Sequence, residues 1–246
     1  TQYLFGQPHG QNVIQTVMQN GRGIRFASCT YGATITEIAV PNRAGLIENV
    51  VCSFERVEDY LFQPQFFGST IGPFAGRLEN CELVINGQSL HVTPNEGKHL
   101  LHGGNAGFHT KIWRVETFEE KDCLTTKYSL TYDEEFPGEL QIEVCFSLLE
   151  TNEVVVTYSG VNSEDTLINC TNHSYFNLSG NLKETIHNHT LKMNAPRYIP
   201  INKHGLPLGK PLEVEDTVFD FTQAKPLSTV IGATNQQVCL ASGGLD

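Results

Sequence analysis

The sequence is short of positive charge: 16 Lys and Arg stand against 27 Asp and Glu, for a formal net charge of -11. That balance argues against nucleic acid as a partner, because nucleic acid is held by basic stripes. It also disfavours a strongly anionic substrate unless a local Arg or Lys cluster overrides the global sign. A neutral substrate fits. Long apolar runs are missing too: none approaches the ~20 residues that span a bilayer, and the N-terminus lacks the charged-then-apolar pattern of an export signal. No membrane partner is expected. No CxxC pair occurs, and the 7 cysteines are odd in number and scattered, which fits reduced thiols in the cytoplasm and not a disulfide framework. There is no G-x-S-x-G elbow, P-loop or dinucleotide glycine pattern. The first residue is Thr1 and not Met, which fits a few trimmed residues. Of the sequons at Asn169, Asn172, Asn177 and Asn188, three crowd one stretch, where glycans would smother it, and all read as incidental.

Helix signals are scarce as well, and what is present reads as strand. Residues 12–19 alternate, Asn20-Gly21 supplies a turn, and residues 23–28 return. Residues 33–40 (ATITEIAV) are rich in β-branched side chains, and residues 47–53 follow a Pro-Asn-Arg-Ala-Gly turn. The clearest hairpin is residues 82–85, then Asn86-Gly87, then residues 89–92. Further strands are expected at residues 112–118, 124–132, 140–149, 154–161, 166–170 and 238–241, with one short helical turn within residues 57–62. No composition shift, linker or repeat divides the chain. The expectation is an all-β fold: one large antiparallel β-sandwich or barrel over residues 1–246, with few short helices.

Three stretches carry candidate chemistry. Residues 171–180 (TNHSYFNLSG) place His173 at or just past a strand end and before a turn. A histidine there either completes the local structure or meets a ligand with its ring held by the sheet behind it. Residues 100–108 crowd glycines around His102, letting backbone and ligand approach closely. Residues 71–78 set Arg77 among small and aromatic residues, where it either donates to hydroxyls or anions or pairs with Glu79 or Glu82. His99-x-x-His102 and His187-x-His189 resemble metal half-sites, but no acidic or Cys partner recurs at a fitting spacing. No metal is expected. Trp113 and the Phe66-Phe67 pair read as core, although aromatics also stack on sugar faces.

In order along the chain, residues 31–45 (YGATITEIAVPNRAG), 47–61 (IENVVCSFERVEDYL), 72–80 (GPFAGRLEN), 99–113 (HLLHGGNAGFHTKIW), 171–180 (TNHSYFNLSG) and the closing 243–246 (GGLD) resemble the aldose 1-epimerase, or galactose mutarotase, family. The resemblance implies a galactose mutarotase-like supersandwich. It implies His102 and His173 as the active-site histidines, Arg77 as the sugar-binding arginine, and Asp246 as the aspartate of the family's Gly-x-Asp-His segment. Many members carry Asn before the arginine, where this chain has Gly76. The family's catalytic glutamate lies well downstream of the aspartate, and no Glu here sits in that motif. The chain is therefore expected to lack the C-terminal part of the family's length, and a polypeptide ending at Asp246 to be nearly inactive.

The implied reaction interconverts α and β anomers of free hexoses such as glucose and galactose. A base takes the C1 hydroxyl proton, an acid protonates the ring oxygen, the ring opens, the aldehyde rotates, and the steps reverse. No cofactor is implied. His173 takes the acid role, His102 binds near the ring oxygen and supports it, and Arg77 and Asp246 bind hydroxyls of the neutral aldohexose. The protein is expected as a monomer or homodimer. Two other readings stay open: a hexose-6-phosphate 1-epimerase, which needs a basic cluster from residues such as Arg22, Arg25 and Arg43, and a non-catalytic sugar-binding module on the same scaffold.

Overall fold

The computed structural model describes residues 1–62 and 64–245. The chain groups into two compact units, one over Thr1–Asn181 and a smaller one from Leu182 onward. The larger unit is built on two antiparallel sheets. The first runs β1 (Gln2–Gly6), β2 (Val13–Gln19), β3 (Arg25–Cys29), β4 (Thr34–Pro41) and β5 (Ile47–Asn49), in that spatial order. The second carries four longer strands, considered below.

The β2–β3 turn is organised by one side chain: the Asn20 carboxamide oxygen accepts from the backbone N–H of Arg22 and of Ile24 at 3.1 and 2.9 Å. After β5 comes a single helical turn, α1 (Val57–Tyr60), where one turn was expected. Short strands follow: β6 (Thr70–Ile71), β7 (Arg77–Leu78), the hairpin β8 (Glu82–Ile85) and β9 (Gln88–His91), and β10 (Leu100–Leu101). In the hairpin, Asn86 and Gly87 take φ of 51° and 79°, the two positive values a type I′ turn needs.

The second sheet is β11 (Arg114–Glu120), β12 (Cys123–Tyr132), β13 (Leu140–Leu149) and β14 (Val154–Asn162). On β13 the alternation is complete: Leu140, Ile142, Val144, Phe146 and Leu148 are buried, while the residues between them are not. These side chains meet those of the first sheet. Phe26 on β3 lies 5.5 Å from Phe146, ring centre to ring centre, and the Ser28 and Tyr128 hydroxyls are 2.9 Å apart. Trp113, Leu100 and Phe108 complete this core, so Trp113 is the core residue expected. The result is an all-β sandwich with few short helices.

Two expected strands are absent. Residues 166–170 form no strand. Asn169 instead follows the 73–75 loop, its N–H donating to the Pro73 carbonyl at 2.7 Å and its carbonyl accepting from Ala75 N–H at 2.8 Å. Pairing starts one residue later, at β15 (Thr171–Asn172), which lies antiparallel to β6. Residues 238–241 fall in and just past a helix, α2 (Gln236–Leu240). The Asn235 side chain caps it by accepting from Gln237 N–H at 2.8 Å, so an apolar run too short to show a period is helical because of the residue before it. In the smaller unit, β16 (Thr190–Leu191), β17 (Arg197–Tyr198), β18 (Leu212–Glu213) and β19 (Lys225–Pro226) pair as β16–β19 and β17–β18. Its core is Phe221, Val230 and Val238.

Candidate active site

His173 is aimed by its backbone. Its N–H donates to the Ser69 carbonyl at 2.9 Å, and its carbonyl accepts from Gly68 N–H at 3.0 Å. Asn172 locks the same junction: its Nδ2 donates to the Gly68 carbonyl at 2.8 Å, and its Oδ1 accepts from the Ser174 hydroxyl at 2.6 Å. Gly68 cannot carry a side chain. Its φ is +66°, and a Cβ there would lie 2.0 Å from the Ile35 carbonyl oxygen.

His102 reaches the same place from β10, which pairs Leu101 with Arg77 of β7. Its backbone N–H donates to the Gly76 carbonyl at 3.0 Å, and its Nδ1 accepts from Gly76 N–H at 3.1 Å. A backbone N–H can only donate, so Nδ1 is the acceptor nitrogen and the proton of the neutral ring sits on Nε2. Gly76 thus meets His102 through its backbone alone. His102 itself has φ of +54°, a conformation uncommon outside glycine. The turn after it is set by Gly103 at φ +81°, where a Cβ would lie 2.1 Å from the Gly72 carbonyl oxygen.

The two histidines meet. Their ring centres are 5.1 Å apart with the planes at 81°. Phe66, also at positive φ (57°), stands against both, 4.9 Å from His102 and 5.8 Å from His173. Phe67, Phe54 and Tyr175 extend the aromatic surface: Tyr175 lies 5.2 Å from His173 and 5.2 Å from Phe67, and Phe54 stacks on Phe67 at 5.3 Å. Phe66 and Phe67 are half-buried wall residues here, a correction to their reading as core. The backbone turn that presents them is fixed by tertiary packing and leaves no sequence period.

Two further residues were missed. His109 sits on the other side of Phe66, 4.9 Å ring to ring. Burial first, then the neighbouring His102, His173 and Lys111, lower its pKa to about 4, so it is neutral at physiological pH. Its Nδ1 is buried without a hydrogen-bond partner. The other is Glu96. Arg77 pairs with it through Nε (2.6 Å) and Nη2 (2.9 Å), and not with Glu79 or Glu82. That hydrogen bond first, and then the charge of Arg77 with those of His99 and His102, hold the Glu96 carboxyl below the usual carboxylate range.

Asp246 lies outside the described residues. Among the described residues, no three His, Cys, Asp or Glu converge as a metal set. His99 and His102 each spend Nδ1 on a backbone N–H, from Asn80 and Gly76, and His187 Nδ1 lies 2.8 Å from the Thr185 hydroxyl. No described helix is long and apolar enough to cross a membrane.

The chain is similar to known proteins over most of its length. A family model described as aldose 1-epimerase matches residues 15–242. An aldose 1-epimerase of Haemophilus influenzae is 33% identical over 227 residues, covering 92% of this chain and 66% of the relative. The human galactose mutarotase is 31% identical over 221 residues, covering 89% of this chain and 64% of that protein. This chain therefore spans just under two thirds of the length of these curated relatives. A crystal structure of a galactose 1-epimerase from Lactobacillus acidophilus superposes with a TM-score of 0.88 at 25% identity, over 99% of this chain and 71% of that one. Sandwich, histidine pair and a family match across nearly the whole chain agree: the chain belongs to the aldose 1-epimerase family.

Proposed function

We propose that the natural protein carrying this sequence is a mutarotase of free aldohexoses. The observation that supports it best is the meeting of His102 and His173, from distant parts of the chain, against Phe66. In this reading His173 protonates the ring oxygen as the C1–O bond breaks and takes the proton back on closure. His102 presents Nε2–H to the same oxygen or its neighbour. Arg77 donates to sugar hydroxyls, and Asp246 accepts from them. The base that removes the C1 hydroxyl proton is assigned, through the family resemblance, to a glutamate beyond the position matched by Asp246. A weakly acidic hydroxyl and a weakly basic ether oxygen gain most when acid and base act together. The aromatic wall of Phe66 and Tyr175 supplies the flat apolar surface that sugar C–H faces stack on.

A neutral hexose fits better than a phosphorylated one. Of Arg22, Arg25 and Arg43, Arg25 is already in an ion pair with Glu37, and the arginine beside the histidines, Arg77, has its charge offset by Glu96. The 7 free thiols suit a reducing cytoplasm.

Polarimetry of freshly dissolved α-galactose and α-glucose tests the reading. The natural protein accelerates the approach to anomeric equilibrium, and His173→Asn lowers turnover by about 10²–10⁴-fold with the melting temperature nearly unchanged. A His173→Asn protein of near-normal rate removes His173 from the acid role.

A further inference from the structure

Arg77 and Glu96 form a two-point pair in a place where one ordinary surface pair would do nothing. Single exposed ion pairs add little to stability. This one is different in construction, because Glu96 is held in position by bonds that do not involve Arg77. Glu96 N–H donates to the His99 carbonyl at 3.0 Å, and His99 N–H donates back to Glu96 at 2.9 Å. The next residue up the chain, Asn95, clamps the loop to β10: its Oδ1 accepts from Leu101 N–H at 2.7 Å and its Nδ2 donates to the Leu101 carbonyl at 3.0 Å. Leu101 precedes His102 and is the register partner of Arg77. One stitched unit therefore carries the arginine, its carboxylate partner and an active-site histidine.

Two consequences follow from the chemistry of guanidinium. Its plane is set once Nε and Nη2 are both engaged, since the fork is rigid. Its charge is also offset at close range, so an anion approaching Arg77 meets a carboxylate a few ångströms further on. A neutral hydroxyl feels the directed N–H bonds without that repulsion. We propose that Glu96 is a positioning and specificity residue: it orients Arg77 toward uncharged sugar hydroxyls and cancels the affinity for sugar phosphates that this arginine would otherwise have. The proposal rests on the sugar-binding role given to Arg77 above.

Isothermal titration of the natural protein with D-galactose and with D-galactose 6-phosphate tests it, using the wild type, Glu96→Gln, Glu96→Ala and Glu96→Asp, with a thermal melt of each. In the wild type galactose binds and the phosphate binds much more weakly. Glu96→Gln keeps the shape and removes the charge. It shifts the ratio of the two dissociation constants by about 10-fold toward the phosphate, equivalent to ~1.4 kcal/mol. Glu96→Ala shifts the ratio likewise and also weakens galactose. Glu96→Asp returns the ratio most of the way to wild type. A purely structural role would lower the melting temperature and both affinities together, leaving the ratio fixed, and a ratio unmoved in Glu96→Gln overturns the proposal. Failure of the wild type to bind galactose overturns it along with the role of Arg77. Polarimetry on the same preparations reads the mutarotase assignment separately: a wild type that binds galactose but does not accelerate anomerisation refutes that assignment alone.

Discussion

At the scale of single residues, the site depends on groups whose protonation is set by where they sit. His109 is the clearest case. Its pKa falls from its ordinary 6.5 to about 4, through burial first and then the positive charge of His102, His173 and Lys111. Between those two values the unfolded chain holds a proton on this residue that the folded chain does not. Stability therefore rises with pH across that window and is lost on acidification from 6.5 toward 4. The slope from this one group is at most about 1.4 kcal/mol per pH unit. Urea titrations at a series of pH values measure it. His109→Phe removes the group, and the variant should lose less stability than wild type on going from pH 6.5 to 4. An identical pH profile in the variant means that His109 titrates normally. Residue scale is also where the sequence was easiest to read and easiest to misread. His102 and His173 stand out by their glycine and aromatic surroundings. The partner of Arg77 did not, because Glu79 and Glu82 are nearer in sequence than Glu96. The choice is made by the β7–β10 pairing and by Asn95 holding residues 95–99 against Leu101.

At the scale of elements, strands with a period were legible and short pieces without one were not. β13 was found with its observed ends, because its apolar side chains alternate over its whole length. Residues 166–170 and 238–241 offer only a few apolar positions each, and their conformations are decided by neighbours. For α2 that neighbour is Asn235, whose side chain takes up the N–H of Gln237. Removing the cap is expected to cost about 1 kcal/mol, felt locally because the helix is only 5 residues long. Hydrogen exchange reads this directly. The Cys239 amide donates to the Asn235 carbonyl at 3.0 Å, and in Asn235→Ala it should exchange on the order of five times faster. Protection equal to wild type would show that burial of Val238 against Phe221 and Val230 holds the helix without its cap.

At the scale of the larger unit, the two sheets share one core, and the histidine site hangs from segments anchored to it. The Ile35 N–H on β4 donates to the Gly68 carbonyl at 2.8 Å, and Gly68 in turn donates to His173. Phe108, packed edge-on to Trp113 and Tyr132 at 5.5 and 5.3 Å, donates its backbone N–H to the carbonyl of Gly72, between β6 and β7, at 3.0 Å. Sheet pairing and sheet stacking thus both bear on where His102 and His173 stand. Phe146 is the test position: fully buried on β13, 5.5 Å from Phe26 and 5.7 Å from Tyr128. Phe146→Ala removes a ring from between the sheets and should cost about 3–5 kcal/mol, a fall in Tm on the order of 10 °C. His173→Asn, with no core role, should leave Tm within about 2 °C of wild type. The two variants together separate the scaffold from the chemistry. Below its lowered Tm, Phe146→Ala should retain sugar binding, since the site segments keep their backbone bonds. His173→Asn should keep its fold and lose turnover. A Phe146→Ala protein that melts with wild type would mean that the sheets are not joined through this core.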